Sequence, residues 1–269
     1  MMAKLAGVFF LIVGLVIAVL GYGKVNPEFS IELVTKDFYA NMASGLIGIA
    51  LTVLLIDSLN EKRAIEQAKA AKAIQEQLAE QQRKHQLIFQ MGSPDRGFAV
   101  EATRLLKLQG WLADGSVKGA ILQGANLRGA NLEGAALQQT DLQSAILNEA
   151  NLRNADLSEA NLKNAVISDS DLFRATLTKA SLFSARLDHA VLTKACLRHA
   201  DLFDANLVGA DLRGADLSEA DLRGADLTDA KLSPGRIKGI KIDERTRPHS
   251  FLREYCESTS EQFLTTAES

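Results

Sequence analysis

The chain has 269 residues, a formal net charge of -3 and only two cysteines, Cys196 and Cys256. That length allows one or two domains, and two cysteines fall short of the ligands a zinc site needs, so they read as free thiols in a reducing compartment. The 47% of apolar residues are partly concentrated at the front of the chain, which makes the sequence informative segment by segment.

Residues 1–58 hold two uncharged runs, Leu5 to Gly23 and Phe38 to Ile56. At ~1.5 Å rise per residue each run crosses a ~30 Å hydrocarbon layer. The predicted elements are two transmembrane helices, at about 5–23 and 38–57, joined by a short external loop. A cleaved signal peptide is the other reading of the first run. Against it stand a run longer than the ~7 to 15 residues of an h-region and the poor cleavage site Leu20-Gly21-Tyr22-Gly23. Lys4 precedes the first run and Lys62, Arg63, Lys69 and Lys72 come after the second, while the loop carries Lys24 and Lys36. The positive-inside rule then places both termini and everything after the second span in the cytoplasm, as in an integral protein of an inner or plasma membrane. Ser44, Gly48 and Thr52 recur every four residues. Such a small-residue face packs on Gly14 and Ala18 of the first helix or on a second copy of the chain, a homodimer.

Residues 59–91 read as a helical stalk, because Glu61 to Gln90 is rich in Ala, Glu, Gln, Lys and Arg with no Gly or Pro. Ala71, Ile74, Leu78, Gln81, His85 and Ile88 have heptad spacing, but the seam contains two polar residues and an Ala. A weak coiled coil and a solvated single helix both remain open. His85 has no second metal ligand near it and reads as a surface residue. Gly92-Ser93-Pro94-Asp95 ends the stalk. Residues 95–116 are then expected to cap the repeats that begin after them, with a helix from Phe98 to Leu108 that sets Val100, Leu105 and Leu108 on one face, and then the single tryptophan, Trp111.

From Ala120 to Leu232 every fifth residue is Leu, or Ile at position 167, and two residues before each stands Ala, Thr140 or Ser170. Asp or Asn most often lies between, as in Ala210-Asp211-Leu212-Arg213-Gly214. Five residues advance an α-helix by ~500°, so the leucines would wander around it. In a flat strand an odd step would send alternate leucines to opposite faces. Only a chain that bends once per phrase turns every small residue and every Leu inward, with the remaining pair of residues at the corner.

In these phrases the sequence resembles the pentapeptide-repeat proteins, whose consensus is Ala-(Asp/Asn)-Leu-x-x. The resemblance implies a β solenoid over residues 117–242, a right-handed, quadrilateral parallel β-helix with four phrases per coil. Leu112 and Val117 already stand in register with the later leucines. Unlike many relatives, this chain has no Phe at a central position, which implies a narrow tube filled by its own side chains. The segments Asp37-Phe38-Tyr39-Ala40-Asn41 and Ile56-Asp57-Ser58-Leu59-Asn60-Glu61-Lys62-Arg63 are similar to a membrane anchor of bacterial pentapeptide-repeat proteins. Residues 243–269 are expected to close the last coil, with Phe251, Leu252 and Tyr255, and to end in a mobile Ser/Thr-rich tail.

With four phrases per coil, residues twenty apart stack. One column is Glu159, Lys179, His199 and Glu219, in which opposite charges are expected to pair. Another is Lys163, Phe183, Phe203 and Arg223, two aromatics bracketed by cations and a candidate interaction patch. No catalytic, cofactor-binding or metal-binding constellation emerges. His189 and His199 are half a coil apart and face opposite walls, and every Gly of the repeats sits in a corner rather than in a phosphate loop.

The expected function is a membrane-tethered scaffold that presents a rigid cytosolic β-helix to an unknown protein partner, without catalysis. The alternative that the resemblance brings is a DNA mimic acting on a type II topoisomerase. Between Ala120 and Leu232 sixteen acids stand against eleven cations, a net of -5. The middle of the repeats holds Arg174, Lys179, Arg186, Lys194 and Arg198, which interrupts the sustained negative field a duplex-like surface needs. Nucleic acid itself is not an expected partner.

Overall fold

The computed structural model describes residues 31–233 and 236–247, together with Ile12 and Leu252. The chain divides into two compact units, Met1–Gln75 and Glu76–Ser269. The first predicted span, residues 5–23, lies outside the described residues except for Ile12, as do Phe251, Tyr255 and Cys256.

Helix α1 runs over Ile31–Met91 without interruption. It starts earlier than the expected second span, so residues 31–37, assigned to the external loop, are helical. The last strong breaker upstream is Pro27, and nothing between Ile31 and Phe38 opposes a helix. In the first unit, Leu51 and Leu55 are 62% and 64% exposed, so no described residue covers this apolar surface. From Ser44 onward α1 is long and apolar enough to cross a membrane, judged by length and composition. Thr52 Oγ1 donates to the carbonyl of Gly48 at 2.8 Å, within the same helix.

In the second unit the last turns of α1 are no longer free of contacts: Leu87 and Met91 are buried in the core. Helix α2, Arg96–Leu108, comes next, its first turn capped by Asp95, which accepts from the Phe98 N–H. The buried stripe of α2 is Ala99, Ala102, Thr103 and Leu106. This corrects the expected face. Val100 and Leu105 are only partly buried, and Leu108 and Phe98 are 67% and 64% exposed. The small side chains of Ala99 and Ala102 let the helix lie close on the first coil, which larger residues on the other face would prevent. The Thr103 hydroxyl is satisfied by the Ala99 carbonyl at 2.8 Å. Trp111, Leu112 and Val117 are buried beneath.

The coils then repeat without a break. Parallel bridges join residues twenty apart, from Ile121 with Asp141 to Asp221 with Lys241. Among the described residues the only two-residue strands are β1, Asp211–Leu212, and β2, Lys231–Leu232, paired in parallel. Each coil therefore has four walls. We number them by their leucines: the first carries Leu182, the second Leu187, the third Leu192 and the fourth Leu197. The central Leu and the Ala two residues before it are almost fully buried along the ladder. Thr140 and Ser170 replace Ala without penalty because each hydroxyl turns back to the carbonyl three residues earlier, at 2.7 and 2.6 Å.

The backbone accounts for the rest of the phrase. In the phrase around Leu147, the N–H groups of Ile146, Leu147 and Glu149 bond to neighbouring coils, at 2.9, 2.7 and 3.1 Å, and Ala150 bonds back to Leu147. One N–H per phrase is left, that of the residue after the Leu. The outward Asp or Asn accepts it: Asp141 from Gln143 at 3.1 Å, Asp156 from Ser158 at 3.0 Å, Asp226 from Thr228 at 3.0 Å. This is why the outward position is most often Asp or Asn rather than any other polar residue. From Gly119 to Asp229 the second corner residue of each phrase is left-handed, whether Gly or not, with φ of 57° at Arg174 and 59° at Lys179.

The two ends of the ladder depart from the regular coil in different ways. At the N-terminal end the carbonyls of Ser93 and Leu112 accept from Asn126 and Ala136, at 2.9 and 2.7 Å, and Arg96 donates to the Arg128 carbonyl at 3.1 Å, so the first coil is not left as an open edge. At the other end the last bridge joins Asp226 to Arg247, a step of one residue more than the regular spacing. The extra residue forms a loop built on Asp243, which accepts from the N–H groups of Gly224, Arg245 and Thr246 at 2.8, 3.1 and 3.0 Å. Burial pushes this carboxyl up, but those donors, with the Thr246 hydroxyl and the Arg245 side chain, outweigh it and hold the pKa down at about 2. Thr246 fills the place of the small inward residue and is buried.

Candidate interaction surface

The corner after the first wall carries the aromatic column expected from the twenty-residue spacing. Phe183 and Phe203 stack with ring centroids 5.5 Å apart and planes 5° from parallel. Phe183 is 38% exposed. Two guanidinium groups lie over Phe203, Arg223 at 5.6 Å and Arg245 at 4.9 Å from the centroid. Both are held by carboxylates. Arg223 is bidentate on Asp221 at 2.9 and 2.6 Å, and Arg245 bridges Asp243 and Asp204 at 3.0 and 3.1 Å. Burial raises the Asp221 pKa, and the hydrogen bonds from Arg223 more than reverse it, so the net shift is downward.

Lys163 and Arg223 were expected to bracket the aromatic pair. Among the described residues Lys163 makes no cation–π contact with Phe183, and the second cation over the pair is instead Arg245. The difference is chemical. A planar guanidinium fixed by a carboxylate can lie flat on a ring, and both Arg223 and Arg245 are fixed in this way. Nor does the Glu159 column form as a ladder of opposite charges. Glu159 accepts from the Gln139 amide at 2.9 Å, and only His199 and Glu219 approach, at 3.1 Å. Among the described residues no ion pair joins Glu159 to Lys179.

Sequence reading passed over a second aromatic corner. Phe173, after the third wall, lies under Arg153 at 4.4 Å, Arg174 at 5.1 Å and Lys194 at 5.9 Å. The twenty-residue columns held the signal: Arg153 stacks before Phe173, and Arg174 before Lys194. At the N-terminal cap Trp111 has Lys84 at 5.0 Å, and the same ammonium pairs with Asp114 at 3.4 Å.

The described residues hold no cluster of His, Cys, Asp or Glu able to bind a metal. Cys196 is a partly buried free thiol whose Sγ lies 3.3 Å from the Thr178 hydroxyl.

The Pentapeptide repeats family matches the chain in eight copies, over residues 116–148, 137–172, 170–207 and 195–233. No curated protein sequence matches it. Among solved structures, the chain is similar to HetL, a pentapeptide repeat protein involved in heterocyst differentiation regulation from the cyanobacterium Nostoc sp. strain PCC 7120. The identity there is 32%, over 47% of this chain and 72% of that one, with a TM-score of 0.22. A pentapeptide repeat protein of the Arabidopsis thaliana thylakoid lumen is 27% identical over 44% of this chain and 82% of that one, with a TM-score of 0.26. QnrB1, a plasmid-mediated fluoroquinolone resistance protein, is 16% identical over 54% of this chain and 89% of its own, with a TM-score of 0.19. The five-residue phrase, the twenty-residue bridge spacing and the family match agree: the chain belongs to the pentapeptide repeat proteins and folds as their right-handed β-helix.

Proposed function

We propose that this protein is a membrane-tethered scaffold whose β-helix docks a protein partner on its outer walls. The observation that carries the reading is the Phe183–Phe203 stack, an apolar surface set on a rigid ladder and framed by immobilised guanidinium groups. Such a surface loses little conformational entropy on docking, and aromatic and arginine side chains dominate the energetics of interfaces. The uncovered apolar stretch of α1 supports the tether. The cations after it, Lys62, Arg63, Lys69 and Lys72, favour a cytoplasmic repeat unit. The Ser44, Gly48 and Thr52 face offers a route to a homodimer through the anchor.

The test uses the full chain solubilised in detergent. Partners cross-linked to the wild type should be lost from a Phe183→Ser, Phe203→Ser variant that keeps its circular dichroism. An unchanged partner set would remove the aromatic corner from the reading. Carbonate extraction tests the tether separately, since a peripheral protein would be released. The topoisomerase reading has the cations around Phe173 against it, because a duplex mimic needs a sustained negative field. Inhibition or protection of gyrase supercoiling by the protein would restore it.

A further inference from the structure

The cations in the middle of the repeats read along the chain as a belt, but on the coil they gather at one wall. Arg174 and Lys194 stack at the corner before the fourth wall, and Lys179 and Arg198 stand at the corner after it. All four are exposed. Between them the outward pair is Thr176 and Cys196, bridged in parallel, with Thr178 against Cys196. The floor is therefore neutral and partly buried. Residues 173–179 and 193–199 contain no Asp or Glu. Among the described residues Arg174, Lys179 and Lys194 make no ion pair, and Arg198 has only a distant one, 3.9 Å from Asp216. The remaining cation of the belt, Arg186, is on the opposite, second wall and lies 3.6 Å from Asp188.

Two of these cations are held over a ring, and three stand at left-handed corners. Arg174, Lys179 and Lys194 occupy left-handed corners with φ of 57°, 59° and 60°, where Gly would fit at less backbone cost. The Phe173 ring lies beneath Arg174 and Lys194.

The height of the patch is set by acids on both sides. One coil earlier the same wall and corner carry Asp156 and Glu159, and one coil later Asp216 and Glu219. The unbroken positive surface is thus two coils tall, with the coils ~4.8 Å apart, and one wall wide, ~10 Å at ~3.3 Å per residue. A nucleic acid duplex or a plane of lipid headgroups extends far beyond that area and would meet the flanking carboxylates. An extended peptide lying across the wall would not. Its acidic side chains, spaced ~6.6 Å on one face, would reach the cations at the two corners.

We propose that the fourth wall, between Arg174 and Lys194 on one corner and Lys179 and Arg198 on the other, docks an acidic protein segment. The proposal rests on the scaffold reading and adds a second surface to it, with its own partner chemistry.

The experiment measures fluorescence anisotropy of a labelled eight-residue peptide of alternating glutamate and alanine, titrated with the full chain in neutral detergent at low salt. Lys179→Glu combined with Lys194→Glu should weaken binding by about tenfold or more. Arg186→Glu, on the opposite wall, and Phe183→Ser with Phe203→Ser should each stay within about twofold of wild type. Circular dichroism verifies that the variants fold. The proposal is overturned if the peptide does not bind, or if Arg186→Glu weakens it as much as the fourth-wall pair. Tighter binding of a DNA duplex or of phosphatidylglycerol vesicles through the same residues would also overturn it. The Phe variant separates the two readings, since it should abolish capture of the cross-linked partners while leaving peptide binding intact.

Discussion

The left-handed corners allow a test of what the repeat demands from its backbone. Gly124 has φ of +68°, and a Cβ built there meets nothing within 4 Å, so Gly124→Ala changes the backbone preference without a steric clash. Holding an L-residue in that region costs ~1 to 2 kcal/mol. The smaller unfolded ensemble of Ala returns ~0.4 to 1 kcal/mol, which leaves a net destabilisation of about 1 kcal/mol. For a cooperative unit of this size that lowers Tm by roughly 2 to 4 °C. Ser144→Gly is the reverse experiment, at φ of 57°, and should raise Tm by a similar or smaller amount. Gly224→Ala should cost more than Gly124→Ala, because its Cβ would run into the Asp204 carboxylate and approach the Arg245 guanidinium. Thermal unfolding of the full chain in detergent, monitored by circular dichroism in the β region, reads all three. A Gly124→Ala variant as stable as wild type, or a Ser144→Gly variant that melts earlier, would show that the corner conformation does not limit stability.

Leu182 is fully buried with leucines above and below it, so Leu182→Ala should cost ~2 to 5 kcal/mol. Leu232→Ala, at the partly buried end of the ladder, should cost less than half of that, as denaturant midpoints will show. Val191 is 37% exposed at an outward position stacked between Asp171 and Asp211. Val191→Asn should therefore stabilise the protein by up to ~1 kcal/mol, by giving the Thr193 N–H an acceptor, and a lowered Tm would count against the assigned role of the outward residue. Because the pKa of Asp243 is held down at about 2, its contribution is complete above the ordinary carboxylate range near ~3.9 and is lost as pH falls through about 2. Asp243→Asn should flatten the acid limb of stability between those limits, and an unaltered pH profile would mean that the C-terminal loop does not depend on the charge.

The core was legible because its constraint is one-dimensional. A Leu every fifth residue has a single geometric solution, and the burial of Leu122 to Leu227 comes directly from it. The role of the outward Asp and Asn was only half legible. Their polarity placed them in water, but the reason for their shape is a single backbone N–H per phrase, seen only once every other donor is assigned. The face of α2 was misread because helical periodicity favours large apolar residues, whereas the first coil admits only Ala99, Ala102, Thr103 and Leu106. The surface was read by column, and that suffices for rings, which stack at the coil spacing. It fails for flexible ions such as Lys163 and Glu159, which choose partners by local geometry. Arg245 could not be placed at all, since the inserted residue near Asp243 breaks the twenty-residue count.

The division of labour within the phrase bears on where function can reside. Core and ladder are fixed by the inward pair and the backbone, and the outward Asp or Asn completes the hydrogen bonding. Stability therefore favours the same residues in every coil. From Thr176 to Cys196 the outward positions are Thr176, Ser181, Arg186, Val191 and Cys196, five phrases in a row without Asp or Asn. The same stretch holds Lys179 and Lys194 at corners where other coils have Glu159, Glu219 and Gly214. Each outward position without Asp or Asn gives up a backbone hydrogen bond, an effect of about 1 kcal/mol apiece. Their concentration in a little more than one coil has no counterpart in the requirements of folding. It coincides with both candidate surfaces, the Phe183 corner and the positive fourth wall, and this band of the solenoid is where a partner would find side chains that the fold does not need.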